Sequence, residues 1–92
     1  MKENEITVIC VREEEYVMVS IEKNNALKPL QELVGGWIER IPHIVYQGKR
    51  RYECYVNEEG ILMNLPINIQ ASIIAGQPIF GNMVMVLEGD LE

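Results

Sequence analysis

The chain has little of what most catalytic and metal sites are built from. Its 92 residues hold one histidine, His43, and two cysteines, Cys10 and Cys54. No CxxC pair occurs, and the cysteines stand far from the histidine, so no zinc-ligand spacing is present. Both cysteines lie in apolar alternating stretches, so they are expected as buried free thiols of a reducing compartment. Positive charge is scarce: 8 Lys and Arg stand against 14 Asp and Glu, for a net charge of −6. Generic affinity for nucleic-acid phosphates or an anionic membrane surface is therefore not expected. No apolar run approaches the ~20 residues of a membrane span. The opening, MKENEITVICV, is too acidic and polar for a secretory leader. The expectation is a cytoplasmic protein without cofactor. Nucleophile elbows, Walker-type loops and dinucleotide fingerprints are also missing, so a non-enzymatic protein is expected.

What is present suits one small α+β domain. A length of 92 residues leaves room for one core. So small a core gains from self-association, and a homo-oligomer is expected. Ile6–Val11 and Tyr16–Ile21 are β-branched and apolar and flank the charged turn Arg12-Glu13-Glu14-Glu15, which predicts a hairpin over residues 1–22. From Ala26 the apolar spacing turns helical through Leu27, Leu30, Leu33 and Val34. Asn24 or Asn25 is expected as its cap, and Gly35-Gly36 as its stop. Trp37–Ile41, Ile44–Tyr46 and Tyr52–Val56 read as strands, with a tight basic turn over residues 47–51. Ile61–Pro66 reads as an extended piece. Asn68 is placed to cap a helix from Ile69 to Ala75, ended by Gly76. Ile79–Leu87 is apolar at almost every position, so it reads as a central strand with a bend at Gly81-Asn82. The expected fold is a curved mixed or antiparallel sheet with two short helices packed on it, the N-terminal hairpin leading into the stretch 26–88.

Four ordered blocks carry a family resemblance. They are Leu30-Gln31-Glu32-Leu33-Val34-Gly35-Gly36-Trp37-Ile38-Glu39, Val56-Asn57-Glu58-Glu59-Gly60, the run from Leu62 to Asn68 (LMNLPIN), and Ile79-Phe80-Gly81-Asn82. Together they resemble domain of unknown function 3846 over about Leu27 to Leu87. That resemblance implies a phage or mobile-element setting and no particular activity.

The candidate binding groups are few. Lys49, Arg50 and Arg51 are three of the chain's 8 Lys and Arg and lie between Tyr46 and Tyr52. Arginine forks take phosphates, and tyrosine faces stack on bases. The plain alternative is a loop kept soluble by charge, or an arginine paired with Glu13–Glu15. Trp37, the single tryptophan, reads as core or interface, and otherwise as a stacking platform. Asn64, between Met63 and Leu65, is the asparagine that turn and cap duties explain least. Adjacent Glu58 and Glu59 read as a solvated turn rather than an acid/base pair.

These groups support an expectation: a homo-oligomeric sponge that sequesters a nucleotide-derived immune signal of the cyclic ADP-ribose or cyclic oligonucleotide kind. Arg50, Arg51, Tyr46, Tyr52, Trp37 and Asn64 would line its site. The alternative is an acidic protein–protein module or decoy inhibiting a host enzyme, working through the acidic turn at 12–15 and the acidic tail.

Overall fold

A computed structural model describes residues 4–91 of the chain. The strands are β1 (Glu5–Val11), β2 (Tyr16–Glu22), β3 (Ile38–Arg40), β4 (Val45–Gln47), β5 (Arg50–Asn57) and β6 (Met83–Leu87). The helices are α1 (Leu27–Val34) and α2 (Ile69–Ala75). The sheet order is β2-β1-β6-β5-β3, with β4 also on β5, and every pairing is antiparallel. The mixed sheet held open by the sequence is thus decided in favour of a purely antiparallel one. β3 pairs with the second half of β5 and β4 with its first residues. They are two pieces of one edge, broken where Pro42 removes a ladder donor.

β6 is central, as its composition predicts, but begins at Met83 rather than Ile79. Its alternate residues feed two different cores. Met83 and Met85 meet Val11, Tyr52, Cys54, Ala71 and Ala75 on the α2 side. Val84 and Val86 meet Val8, Cys10, Ile21, Leu30 and Val34 on the α1 side. The two helices therefore cover opposite faces, giving three layers. A strand buried on both sides has to be apolar at consecutive positions, which is why β6 reads MVMVL.

Local signals place both helices. Gly35 and Gly76 end them at φ 82° and 73°, a left-handed geometry that costs other residues energy. Asn68 caps α2 by accepting from the Ala71 amide at 3.0 Å. The start of α1 differs from expectation. Lys23–Asn25 wind into a 3-10 turn, Ala26 takes the cap position, and neither Asn24 nor Asn25 contributes a capping side chain. Ile61–Pro66 also differs: residues 58–64 coil in consecutive turns, with Met63 N–H bonded to the Glu59 carbonyl and Asn64 N–H to that of Ile61.

Three asparagines tie the layers together. The Nδ2 of Asn57 on β5 donates to the Val34 carbonyl, and that of Asn82, just before β6, donates to Leu33. Both carbonyls belong to the last turn of α1, whose acceptors have no partner within the helix. Asn68, fully buried, donates to the carbonyls of Val11 and Gly81.

Cys10 and Cys54 are both fully buried and free. They face opposite sides of the sheet with β6 between them, so they cannot be bridged. Burial pushes the Cys54 thiol up to about 12, from an ordinary value of 9.0. Burial, then the neighbouring Glu53 carboxylate, also raises the Tyr55 hydroxyl. A raised pKa favours the protonated group in the folded state. That stability is complete below about pH 9 and is lost as pH climbs toward 12. The urea midpoint should therefore fall on going from pH 8 to about 10.5, and less steeply in Cys54→Val, which removes the raised thiol. Equal slopes in the two proteins would remove Cys54 from the account.

Candidate functional site

The residues expected to form one binding corner are divided by the fold. Val45 pairs with Tyr52 and Tyr46 with Arg51 across β4 and β5. Gly48-Lys49 alone makes the turn, so Arg50 and Arg51 are strand residues rather than loop residues. Arg51 and Tyr46 point to one face, the guanidinium lying 5.6 Å from the ring centroid. Arg51 is also forked onto Glu88, with Nε 2.8 Å from Oε1 and Nη2 3.3 Å from Oε2. The sequence alternative of pairing with Glu13–Glu15 falls to Arg12, which reaches Glu15 at 3.7 Å.

Tyr52 points the other way. It is 7% exposed and lies in the α2-side core with Cys54 and Met85, so it cannot act as a stacking platform. The signal was present in the sequence: Tyr52 is two residues from Cys54, and strand positions two apart share a face.

Trp37 and Asn64 lie at the far end of β5. Trp37 precedes β3, and its carbonyl accepts from the Glu58 amide. Seven steps along the strand separate Arg50 from Asn57, about 23 Å at 3.3 Å per residue. Trp37 is 65% exposed, so it is not core. Asn64 is exposed with φ 56°, the one described non-glycine residue in the left-handed region. Asparagine tolerates that conformation better than most side chains, which accounts for its position.

At this same end the structure forms a groove of about 460 Å3. One wall is the coiled loop Glu58–Leu62. The other is Gln77–Phe80, between α2 and β6, with Glu39 of β3 and Val56-Asn57 of β5 completing the lining. Gly60 allows the walls to meet: a Cβ there would stand 2.7 Å from the Phe80 carbonyl oxygen. The lining joins two chemistries. Glu39, Glu58 and Glu59 supply carboxylates, and none of them is in an ion pair among the described residues. Ile61 and Leu62 supply apolar surface at 70% and 80% exposure, and Met63, next in the same loop, is exposed as well. So much exposed aliphatic surface on one loop is what a docking surface carries. The sequence reads Ile61–Pro66 as an extended piece, which left this surface unseen. The hint was a run apolar at too many consecutive positions for a two-residue alternation.

Elsewhere the titratable groups are dispersed. His43 Nε2 donates to the Ala75 carbonyl at 3.0 Å, fastening the loop before β4 to the end of α2. Among the described residues no three His, Cys, Asp or Glu gather as a metal-binding group. No described helix is long and apolar enough to cross a membrane.

Fold and groove define a small three-layer α+β domain, an antiparallel sheet with one helix on each face and an open acidic–apolar groove at one end. The chain belongs to the family described as domain of unknown function 3846, whose match spans residues 6–91. That span is wider than the four sequence blocks and takes in the β1–β2 hairpin. All four blocks contribute residues to the groove: Glu39, Asn57–Gly60, Leu62, and Ile79-Phe80. No curated protein and no solved structure matches the chain.

Proposed function

We propose that this protein is a non-catalytic binding module that docks a basic, apolar segment of a partner protein in the groove between Glu58–Leu62 and Gln77–Phe80. The observation that carries this reading is the pairing, on one 460 Å3 groove, of three carboxylates with exposed Ile61 and Leu62. Apolar side chains of a partner would gain from covering the two aliphatics, while its Lys or Arg residues would meet the carboxylates at the rim. The net charge of −6 would steer such a partner toward the surface. In the phage or mobile-element setting that the resemblance implies, a module of this kind holds a segment of a host enzyme.

A second reading keeps the nucleotide sponge at the opposite end of β5. What favours it is the exposed Tyr46 ring beside the Arg51 guanidinium, with Lys49 and Arg50 exposed next to them. Against it stand Glu88, which already holds Arg51, and the burial of Tyr52.

One experiment separates the two. Peptides selected from a random library on the immobilised protein should be enriched in Lys or Arg interleaved with Leu, Ile or Phe. Glu58→Lys/Glu59→Lys should weaken the best of them about 10- to 100-fold, two charge reversals at ~1 kcal/mol or somewhat more each. Enrichment of acidic peptides, or affinity indifferent to the reversal, would sink the groove reading. The nucleotide reading predicts instead a thermal shift with cyclic ADP-ribose or a cyclic dinucleotide. Stabilisation of ~2.7 kcal/mol is expected at about 100 times the dissociation constant, and it should be lost in Arg50→Ala/Arg51→Ala.

A further inference from the structure

The two edges of the sheet are treated differently by the sequence. The β3/β4 edge is cut into two three-residue strands with Pro42 in the break, and Lys49 and Arg50 stand at its hairpin end. These are the devices that keep an edge from pairing with another chain. The β2 edge has neither a break nor a proline, and its charges, Arg12–Glu15 and Glu22, stand only at its ends. It is seven residues long, YVMVSIE, without proline or lysine, and it runs in unbroken register along β1 from Tyr16 to Glu22.

The direction of its free hydrogen-bonding groups follows from the ladder. Lys23 N–H donates to the Asn4 carbonyl and Arg12 N–H to the Glu15 carbonyl. Both are hydrogen-bonded pairs, and such pairs alternate along an antiparallel ladder. Val17, Val19 and Ile21 therefore spend their N–H and C=O groups on β1. Tyr16, Met18, Ser20 and Glu22 point theirs outward, where no strand among the described residues receives them. The side chains of Tyr16 and Met18 are 57% and 70% exposed, on the sheet face that α2 leaves uncovered here.

We infer that this edge pairs with the β2 of a second copy of the chain, antiparallel about a two-fold axis through Val19. In that register Tyr16 faces Glu22 of the second copy, Met18 faces Ser20, and Val19 faces its own counterpart. Every outward N–H and C=O then has a partner, giving about eight ladder hydrogen bonds, two at each of four pairs. The charges select the same alignment. Glu15, just before the strand, falls opposite Lys23 of the second copy, just after it, and this happens twice by symmetry. Sliding one pleat toward the hairpin turn would set Glu14 against Glu22, like charges directly opposite, and leave Glu15 facing Ile21. The exposed Met18 side chains become diagonal neighbours across the axis, within reach of each other. The sheet continues from one copy into the next, and the two grooves, at the other side of each sheet, stay open. The dimer does not depend on what the groove binds.

Sedimentation equilibrium over a concentration series tests the state, and amide hydrogen exchange tests the register. The wild-type chain should sediment at twice its monomer mass. Met18→Lys places two ammonium groups beside the axis and should give a monomer with an unchanged far-ultraviolet spectrum, since the side chain is exposed in the single chain. Glu15→Lys and Lys23→Glu should each weaken the dimer several-fold, and the double variant Glu15→Lys/Lys23→Glu should restore it. In the wild-type dimer the amides of Tyr16, Met18, Ser20 and Glu22 should exchange slowly and become fast in Met18→Lys. Those of Val17, Val19 and Ile21 should be slow in both. A wild-type protein that is monomeric throughout, or a dimer whose Met18 and Ser20 amides exchange fast, overturns the proposal.

Discussion

Replacing Asn68 by alanine should lower the unfolding free energy by about 3–5 kcal/mol, a large part of what a domain this size has to lose. The side chain is fully buried and makes three hydrogen bonds. Its oxygen accepts from the Ala71 amide, the first turn of α2, at 3.0 Å. Its nitrogen donates to the Val11 carbonyl at 2.9 Å and the Gly81 carbonyl at 3.0 Å. Losing the cap alone costs ~1 kcal/mol. The larger loss comes from two carbonyls left without a donor where water cannot easily replace it, at ~1–3 kcal/mol each. Asn68→Ser separates the two contributions. Serine caps helices well but is too short to reach both carbonyls, so it should recover about 1 kcal/mol and no more. Urea titrations followed by circular dichroism give the order. An alanine variant within about 1 kcal/mol of wild type would mean that the three bonds do not join α2, β1 and the approach to β6 as described.

Asn57→Ala should cost about 2–4 kcal/mol and act at the groove. Asn57 is 5% exposed, donates to the Val34 carbonyl at 3.1 Å, and accepts from the Glu59 amide at 2.7 Å. One side chain thus holds both the end of α1 and the first turn of the groove wall. Its place is tight, since a Cβ on Gly36 would come within 2.9 Å of its Nδ2. Alanine leaves a helix-end carbonyl and a loop amide unpaired. The global loss should appear in urea titration, and a local one in faster exchange of the Glu59 amide. The emission of Trp37, which adjoins Gly36 and is the single tryptophan, should change as well. Asn68→Ala, made at the other helix, should leave that emission as it is. If Asn57→Ala loses stability while the Glu59 amide keeps its protection, the asparagine anchors the helix alone and not the groove wall.

The two asparagines show how far the sequence could be read. The capping role of Asn68 was legible because it is local: an asparagine stands before a short apolar stretch that closes on glycine. Its bonds to Val11 and Gly81 were not, because 57 residues separate it from Val11. The same division holds for the arginine corner. Alternation placed β4 and β5 and their turn, but choosing Tyr52 as a ligand required knowing which face of β5 meets α2. The groove was hidden for another reason. Residues 58–64 hold their coiled shape through backbone bonds among themselves and through Asn57, and their apolar side chains imitate a strand in sequence.

By itself the sequence determined the hairpin, both helices and their glycine stops, the central place of the last strand, the buried thiols and the family. Each of these depends on neighbours within a few residues, or on burial so complete that no polar residue is tolerated. Only the tertiary structure decided that α1 and α2 cover opposite faces, that Tyr52 belongs to the core, that Arg51 is held by Glu88, and that Glu39, Glu58 and Glu59 share a groove with Ile61 and Leu62. Each of those turns on which way a residue points once distant strands have paired. Strand parity is set by long-range register, and a single sequence leaves that register unstated.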